Sequence, residues 1–135
     1  MRPARFFNKT FLAAAQAGEG VIDDALETIE QALKDDPDEA FFRPITLTLR
    51  GELRIKRGQS ELAKADFHEV LACARNMGAK MLELRATVSL ARLIDQQQRR
   101  NEARELLAQT YNWFTEGFDT ADLKDAKALL EDLSA

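Results

Sequence analysis

A chain of 135 residues, of which 45% are hydrophobic and 31% charged, has the size and composition of one ordinary folded domain, which excludes a disordered segment. The formal net charge of −4 provides no positive field to attract phosphates, so nucleic-acid binding is not expected. No uncharged apolar run is long enough for a membrane span, and the first residues lack the apolar region of a secretion signal, so we expect a cytoplasmic protein without membrane contact.

Apolar residues recur along the chain at the three-and-four spacing of amphipathic helices, and no stretch is typical of a strand. We predict Ser60 and Asn101 as helix caps, and we expect Pro44 in the first turns of its helix. Helices are expected to stop at Gly18, Gly58, Gly78 and Gly117. The seven predicted helices cover about 4–17, 21–34, 38–57, 60–77, 79–97, 101–116 and 121–133.

Small and large residues repeat along the chain at constant intervals. Three sets of positions follow one another at intervals of 38 and 40 residues: Ala13, Gly51 and Ala91; Ala25, Ala63 and Ala103; Ile29, Phe67 and Leu107. Where the two helices of a hairpin cross, only Gly or Ala lets the backbones approach, and a larger apolar residue one turn on fills the gap. We therefore predict a single domain, 1–135, with hairpin repeats at about 6–37, 39–77 and 79–117 and a capping helix at about 120–133.

These three sets of positions, which we call the repeated columns, resemble the pattern of the tetratricopeptide repeat (TPR). Val70 and Thr110 depart from its pattern, which has Ala at those positions, and the intervals exceed the usual period of about 34 residues, so the helices are about one turn longer. The resemblance implies an all-α fold, an α-solenoid of helical hairpins in a right-handed superhelix. Residues 83–133, above all the run WFTEGFDT at 113–120, resemble the C-terminal TPR region of bacterial regulators that also contain a nucleotidyl cyclase or DNA-binding domain and an ATPase.

The chain contains neither a phosphate-binding loop ending in Gly-Lys-Ser/Thr nor an acidic metal pair, which are the catalytic motifs of those regulators. The resemblance therefore implies only a non-catalytic scaffold role. The single His68 and the single Cys73 give no reason to expect a disulfide or a metal site, and we expect no cofactor. An enzymatic alternative, a small helical hydrolase or nucleotide-responsive domain, requires a pocket with converging titratable groups.

The resemblance implies that the first helix of each hairpin lines a concave face that binds a protein or peptide. Arg85 and Arg92 are seven residues apart on one helix face and are suited to hold a carboxylate. Ordinary surface pairing with Glu83, Asp95 or Glu52 is the alternative. The family's inward positions that make up the predicted partner-binding groove are Thr48, Glu52, Lys56, Arg85, Arg92 and Gln96.

Two aromatic clusters raise the question of further interfaces. We predict a self-association face formed by Phe6, Phe7 and Phe11. An alternative function is therefore a homo-oligomerisation module, for example one that forms a homodimer. A further alternative is the remnant of a larger cyclase/ATPase-type regulator. Trp113 and Phe118 are expected to seal the last hairpin against the final helix, and the alternative is an exposed anchor for a partner.

Overall fold

The computed structural model describes residues 21–35 and 43–135, and every regular secondary-structure element in these ranges is an α-helix. The all-α prediction is therefore confirmed. The predicted helix at 4–17 and the start of the helix predicted from residue 38 lie outside the described residues. The six helices of the described part are α1 (Ile22–Asp35), α2 (Arg43–Lys56), α3 (Ser60–Met77), α4 (Lys80–Gln96), α5 (Arg100–Tyr111) and α6 (Ala121–Ser134).

The helix ends predicted at Gly58 and Gly78 agree with the structure, whereas the cap predicted at Ser60 does not. Gly58 and Gly78 adopt φ values of 76° and 70° just after α2 and α3, a backbone conformation that glycine adopts without strain. Ser60 is not a cap but the first residue of α3, because the amide of Ala63 already donates to the carbonyl of Gln59 at 3.0 Å.

The predictions for both ends of α5 were wrong. The amide of Ala103 donates to the carbonyl of Arg99 at 3.1 Å, so the helix begins at Arg100 and Asn101 lies inside it. The helix ends at Tyr111, six residues before Gly117, where the amide of Phe114 donates to the carbonyl of Tyr111 at 3.1 Å and the α-helical pattern stops.

The repeated columns lie in the core, as predicted. Two of the three columns are 0% exposed at every position: Ala25, Ala63 and Ala103, and Ile29, Phe67 and Leu107. Gly51 and Ala91, the described members of the first column, are buried as well, and Ala13 lies outside the described residues. Burial of small residues at constant intervals shows that these positions are where the helices meet.

Contacts divide the chain into two compact units, Met1–Glu69 and Val70–Ala135, with the division inside α3. In the first unit, α1 packs on α2 around Ala25, Ile29 and Leu53, and the half-buried side chains on this cluster are Ile22, Leu26, Leu33 and Leu49. In the second unit, α4 packs on α5, and α6 packs on both. The fully buried leucines of these three helices include Leu84, Leu90, Leu107 and Leu123.

Candidate functional site

Helix α4 is buried around most of its circumference and leaves one polar line exposed. Its buried residues are Glu83, Leu84, Ala86, Thr87, Val88, Leu90, Ala91, Leu93 and Ile94. Arg85, Arg92 and Gln96 are exposed and Ser89 is half-buried, and at 3.6 residues per turn these four share one face. We call Arg85, Ser89, Arg92 and Gln96 the α4 strip. Three of the six predicted groove residues therefore share one exposed face.

The two arginines of the α4 strip differ in their surroundings. The Nε of Arg85 donates to Oδ2 of Asp122 in the first turn of α6 at 2.9 Å, although 61% of the Arg85 side chain is exposed. Arg92 is exposed, and within the part of the chain that the structure describes it has no ion-pair partner. Exposed pairs contribute little free energy, so an incoming carboxylate can replace Asp122 at small cost.

The neighbouring acidic residues proposed as alternative partners of these arginines bind other side chains. Glu83 is 7% exposed and pairs with Arg75 and Lys80, each at 3.2 Å. Asp95 pairs with Arg100 at 3.1 Å. The alternative was therefore wrong for Glu83 and Asp95. The partner that Arg85 has in the fold lies on another helix, 37 residues further along the chain.

The other three predicted groove residues lie on α2, in the first unit. Glu52 and Lys56 are exposed, whereas Thr48 is half-buried and its hydroxyl donates to the carbonyl of Pro44 at 2.7 Å. The same face carries Ile45, which is 47% exposed. This α2 face, formed by Ile45, Thr48, Glu52 and Lys56, offers apolar and charged contacts side by side, and its Thr48 hydroxyl is already engaged by its own helix.

A network of charged side chains holds α2 in place from its other side. The carboxylate of Asp66 on α3, 3% exposed, accepts hydrogen bonds from Arg50 at 2.8 Å and from Arg54 at 2.8 Å. Arg50 also donates to Glu30 on α1 at 2.7 Å. Because three helices contribute to this network, it fixes the rotation of α2 and hence the direction in which the α2 face points.

The environment of Arg50 keeps it charged. Burial by itself lowers the pKa of Arg50, but the hydrogen bonds and negative charges of Asp66 and Glu30 outweigh it and raise the pKa above its ordinary value. A basic group whose pKa is raised on folding stabilises the fold at every pH below its unfolded-state pKa. The contribution of Arg50 is therefore constant across the neutral range and is lost only at extreme alkaline pH.

Trp113 and Phe118, in the segment after α5, are exposed, so the prediction that they seal the last hairpin was wrong. Trp113 is 57% and Phe118 45% exposed. The rings contact each other pairwise, Tyr111 with Phe118 at 5.9 Å between centroids and Trp113 with Phe114 at 5.2 Å. The cluster therefore stands as a surface feature of the second unit. The other predicted aromatic face, Phe6, Phe7 and Phe11, lies outside the described residues.

Chemistry that would suggest a different kind of site is sparse in the described residues. Within 21–35 and 43–135, no three His, Cys, Asp or Glu side chains are placed to hold a metal ion together. His68 is exposed and Cys73 is half-buried. Among the same residues, no helix combines the length and the apolar character needed to cross a membrane.

Sequence reasoning missed the network of Arg50, Arg54 and Asp66, although a signal for it was present. Arg50 precedes Gly51 and Asp66 precedes Phe67, the two residues that meet where α2 and α3 cross. Opposite charges next to both sides of a predicted crossing point indicate an ion pair. No comparable local signal marks the pair of Arg85 with Asp122, because its members belong to helices that are not neighbours in sequence.

Comparison with known proteins does not assign the chain to a family. No model of a known protein family matches it, and a search of curated proteins finds no significant match.

Proposed function

We propose that this protein is a non-catalytic, cytoplasmic interaction module of the tetratricopeptide type that binds a carboxylate-bearing segment of a protein or peptide on the α4 strip. The observation that carries the proposal is the exposed arginine Arg92, in the middle of a polar line on a helix that is otherwise buried. Arginine presents a planar fork of donors that matches a carboxylate, which makes it suited to such recognition.

Two features of the second unit support this function. Helix α4 packs on both α5 and α6, so the α4 strip is presented by a rigid element whose backbone needs little ordering on binding. Arg85 already binds one carboxylate, that of Asp122. A partner segment with two acidic residues then has one site at Arg92 and a second at Arg85 in exchange for Asp122.

The α2 face is proposed as a second contact region for the same class of partner. Ile45 supplies an exposed apolar group and Lys56 a charge, and the charged network behind α2 holds this face in position. We further propose that the hairpins form a tetratricopeptide-like solenoid, which the regular burial of the repeated columns supports. An experimental structure in which successive hairpins do not stack in a row would contradict this arrangement.

The experiment replaces Gln96 with a photoreactive residue in cells that express the protein and identifies the crosslinked partner by mass spectrometry. Affinity is then measured with the purified partner by calorimetry for the native chain and for Arg92→Glu. We expect Arg92→Glu to bind about tenfold more weakly or worse, since it replaces an attraction by a repulsion at one contact.

The matched control is Lys127→Glu on α6, which makes the same change of charge at a side chain that is 67% exposed and whose ion pair with Glu131 spans 4.0 Å. It should bind the partner as the native chain does. Equal affinity of Arg92→Glu and Lys127→Glu for the crosslinked partner would refute the assignment of the α4 strip.

A further inference from the structure

The most exposed large apolar side chain in the described residues is Trp113, and it belongs to a cluster. Two ring pairs, Tyr111 with Phe118 and Trp113 with Phe114, lie at the end of α5 and in the segment before α6, and we call these four residues the aromatic patch. Trp113 and Phe118 are 57% and 45% exposed. Tryptophan and tyrosine are the residues that most often dominate binding energy at protein interfaces, because their large surfaces are covered on binding.

Hydrogen bonds fix both ends of the segment that carries the aromatic patch. After α5, the amide of Trp113 donates to the carbonyl of Thr110 at 3.3 Å. Before α6, Thr120 accepts from the amide of Leu123 and donates its hydroxyl to the carbonyl of Gly117 at 2.8 Å. A segment fixed at both ends binds a partner with little loss of conformational entropy.

The segment between α5 and α6 carries only negative charges. Glu116 and Asp119 are exposed in it, and residues 112–120 contain no Lys or Arg. Lys80 lies 5.0 Å from the centre of the Trp113 ring and shares the carboxylate of Glu83 with Arg75, each at 3.2 Å. The surface therefore suits a segment that combines aromatic or aliphatic side chains with positive charge.

The first residues of this chain have that composition. Residues 2–11 contain three basic residues, Arg2, Arg5 and Lys9, and the first acidic residue of the chain is Glu19. The same ten residues contain Phe6, Phe7 and Phe11. Both requirements of the aromatic patch, apolar rings and positive charge, are met by one short stretch.

We propose that the aromatic patch binds residues 2–11 of a second copy of this chain. The contact joins two different surfaces, so it is heterologous and leaves the corresponding surfaces of each copy available for the next. Its strength depends on the rings of Trp113 and Phe118 and, at low salt, on Glu116 and Asp119. It is independent of the α4 strip, so either proposal can fail while the other stands.

Trp113 is the only tryptophan, so its fluorescence reports directly on whether the aromatic patch is covered. As the concentration of the full-length protein rises, we expect its emission to shift to shorter wavelength while sedimentation equilibrium shows an increasing mass. A synthetic peptide of residues 1–12 should cause the same spectral shift in dilute protein. The same peptide with its three Phe replaced by Ala should not.

Variants identify the surface involved. Trp113→Ala/Phe118→Ala should associate about tenfold more weakly or worse, and Glu116→Lys/Asp119→Lys should weaken association most at low salt. Leu62→Ala on α3 is the control, since it removes a 49% exposed apolar side chain elsewhere and should associate as the native chain does. Circular dichroism verifies that each variant is folded.

Three results would overturn the proposal. The first is a monomer whose emission does not change with concentration or with the peptide. The second is a monomer whose emission is already at short wavelength at every concentration, which shows that the chain's own residues cover the aromatic patch. The third is association that Trp113→Ala/Phe118→Ala leaves intact.

Discussion

At Gly51 the backbone of α2 meets the ring of Phe67 on α3. A Cβ atom at Gly51 would lie 2.7 Å from Cζ and 2.9 Å from Cε1 of that ring, closer than side-chain atoms approach one another. Phe67 is 0% exposed, so its ring is surrounded and has little room to move away. Glycine at this position is therefore explained by the space it leaves rather than by its backbone freedom.

Gly51→Ala should destabilise the protein by about 1–2 kcal/mol. Alanine improves helix propensity by about 1 kcal/mol, but the clash with a buried ring costs about 1–3 kcal/mol. Urea unfolding followed by circular dichroism measures the difference. We expect the cost of the clash to lie in the upper part of its range and to exceed the gain in helix propensity, because two ring atoms would lie under 3.0 Å from the added methyl.

The control is the same substitution in a Phe67→Leu background, where the ring is gone. There Gly51→Ala should be neutral or stabilising, because only the gain in helix propensity remains. If Gly51→Ala costs the same free energy in both backgrounds, the ring contact is not the reason for glycine.

At the scale of helices, the second hairpin (α2 and α3) and the third hairpin (α4 and α5) have different residue types at equivalent positions. At a distance of forty residues along the chain, Arg50 corresponds to Leu90, Arg54 to Ile94 and Asp66 to Leu106. Leu90 and Ile94 are buried and Leu106 is half-buried. A network of charges in one hairpin thus corresponds to apolar side chains in the other.

Asp66→Asn should destabilise the fold by about 3 kcal/mol. Removing the carboxylate charge leaves Arg50 and Arg54, whose side chains are 15% and 17% exposed, without their main counter-charge. Thermal and urea unfolding measure this loss. Glu30→Gln is the matched control, since the Glu30 side chain is 49% exposed and its removal should cost less than about 1 kcal/mol.

A more discriminating test places the three apolar residues of the third hairpin at the equivalent positions of the second. Arg50→Leu/Arg54→Ile/Asp66→Leu should be as stable as the native chain or more so, because replacing a whole buried ion network by apolar groups avoids the cost of desolvating charges. A triple variant as unstable as Asp66→Asn would show that the two hairpins do not share one packing scheme.

At the scale of the whole molecule, charge limits the classes of partner. Acidic residues outnumber basic ones, 23 to 19. The adjacent arginines Arg99 and Arg100 form ion pairs with Glu102 and Asp95. The arrangement disfavours phosphate backbones and is compatible with the proposed binding of a carboxylate at the isolated Arg92.

Mixed-sequence DNA and RNA should therefore give no complex in a mobility-shift assay at physiological salt and a protein concentration of about 10⁻⁵ M, where proteins with basic surfaces bind non-specifically. A basic nucleic-acid-binding domain of similar size is the positive control. Salt-dependent complexes of this protein at that concentration would contradict the expectation.

The sequence by itself determined the helical class, the approximate positions of the helices in the described part, and the burial of the repeated columns. These follow from local periodicity, from glycines such as Gly58 that end helices, and from small residues such as Ala63 and Ala103 at constant intervals. Each of these signals is a pattern of residue types along the chain, so no knowledge of distant contacts is needed to read it.

Only the tertiary structure decided which side chains stay exposed and which charges pair. Trp113 was expected to pack against the last helix, yet 57% of it is exposed. Arg85 pairs with Asp122, a residue of a helix that is not its neighbour in sequence. Pairing and exposure depend on how separate helices are rotated against one another, and the spacing of residues within one helix does not specify that rotation.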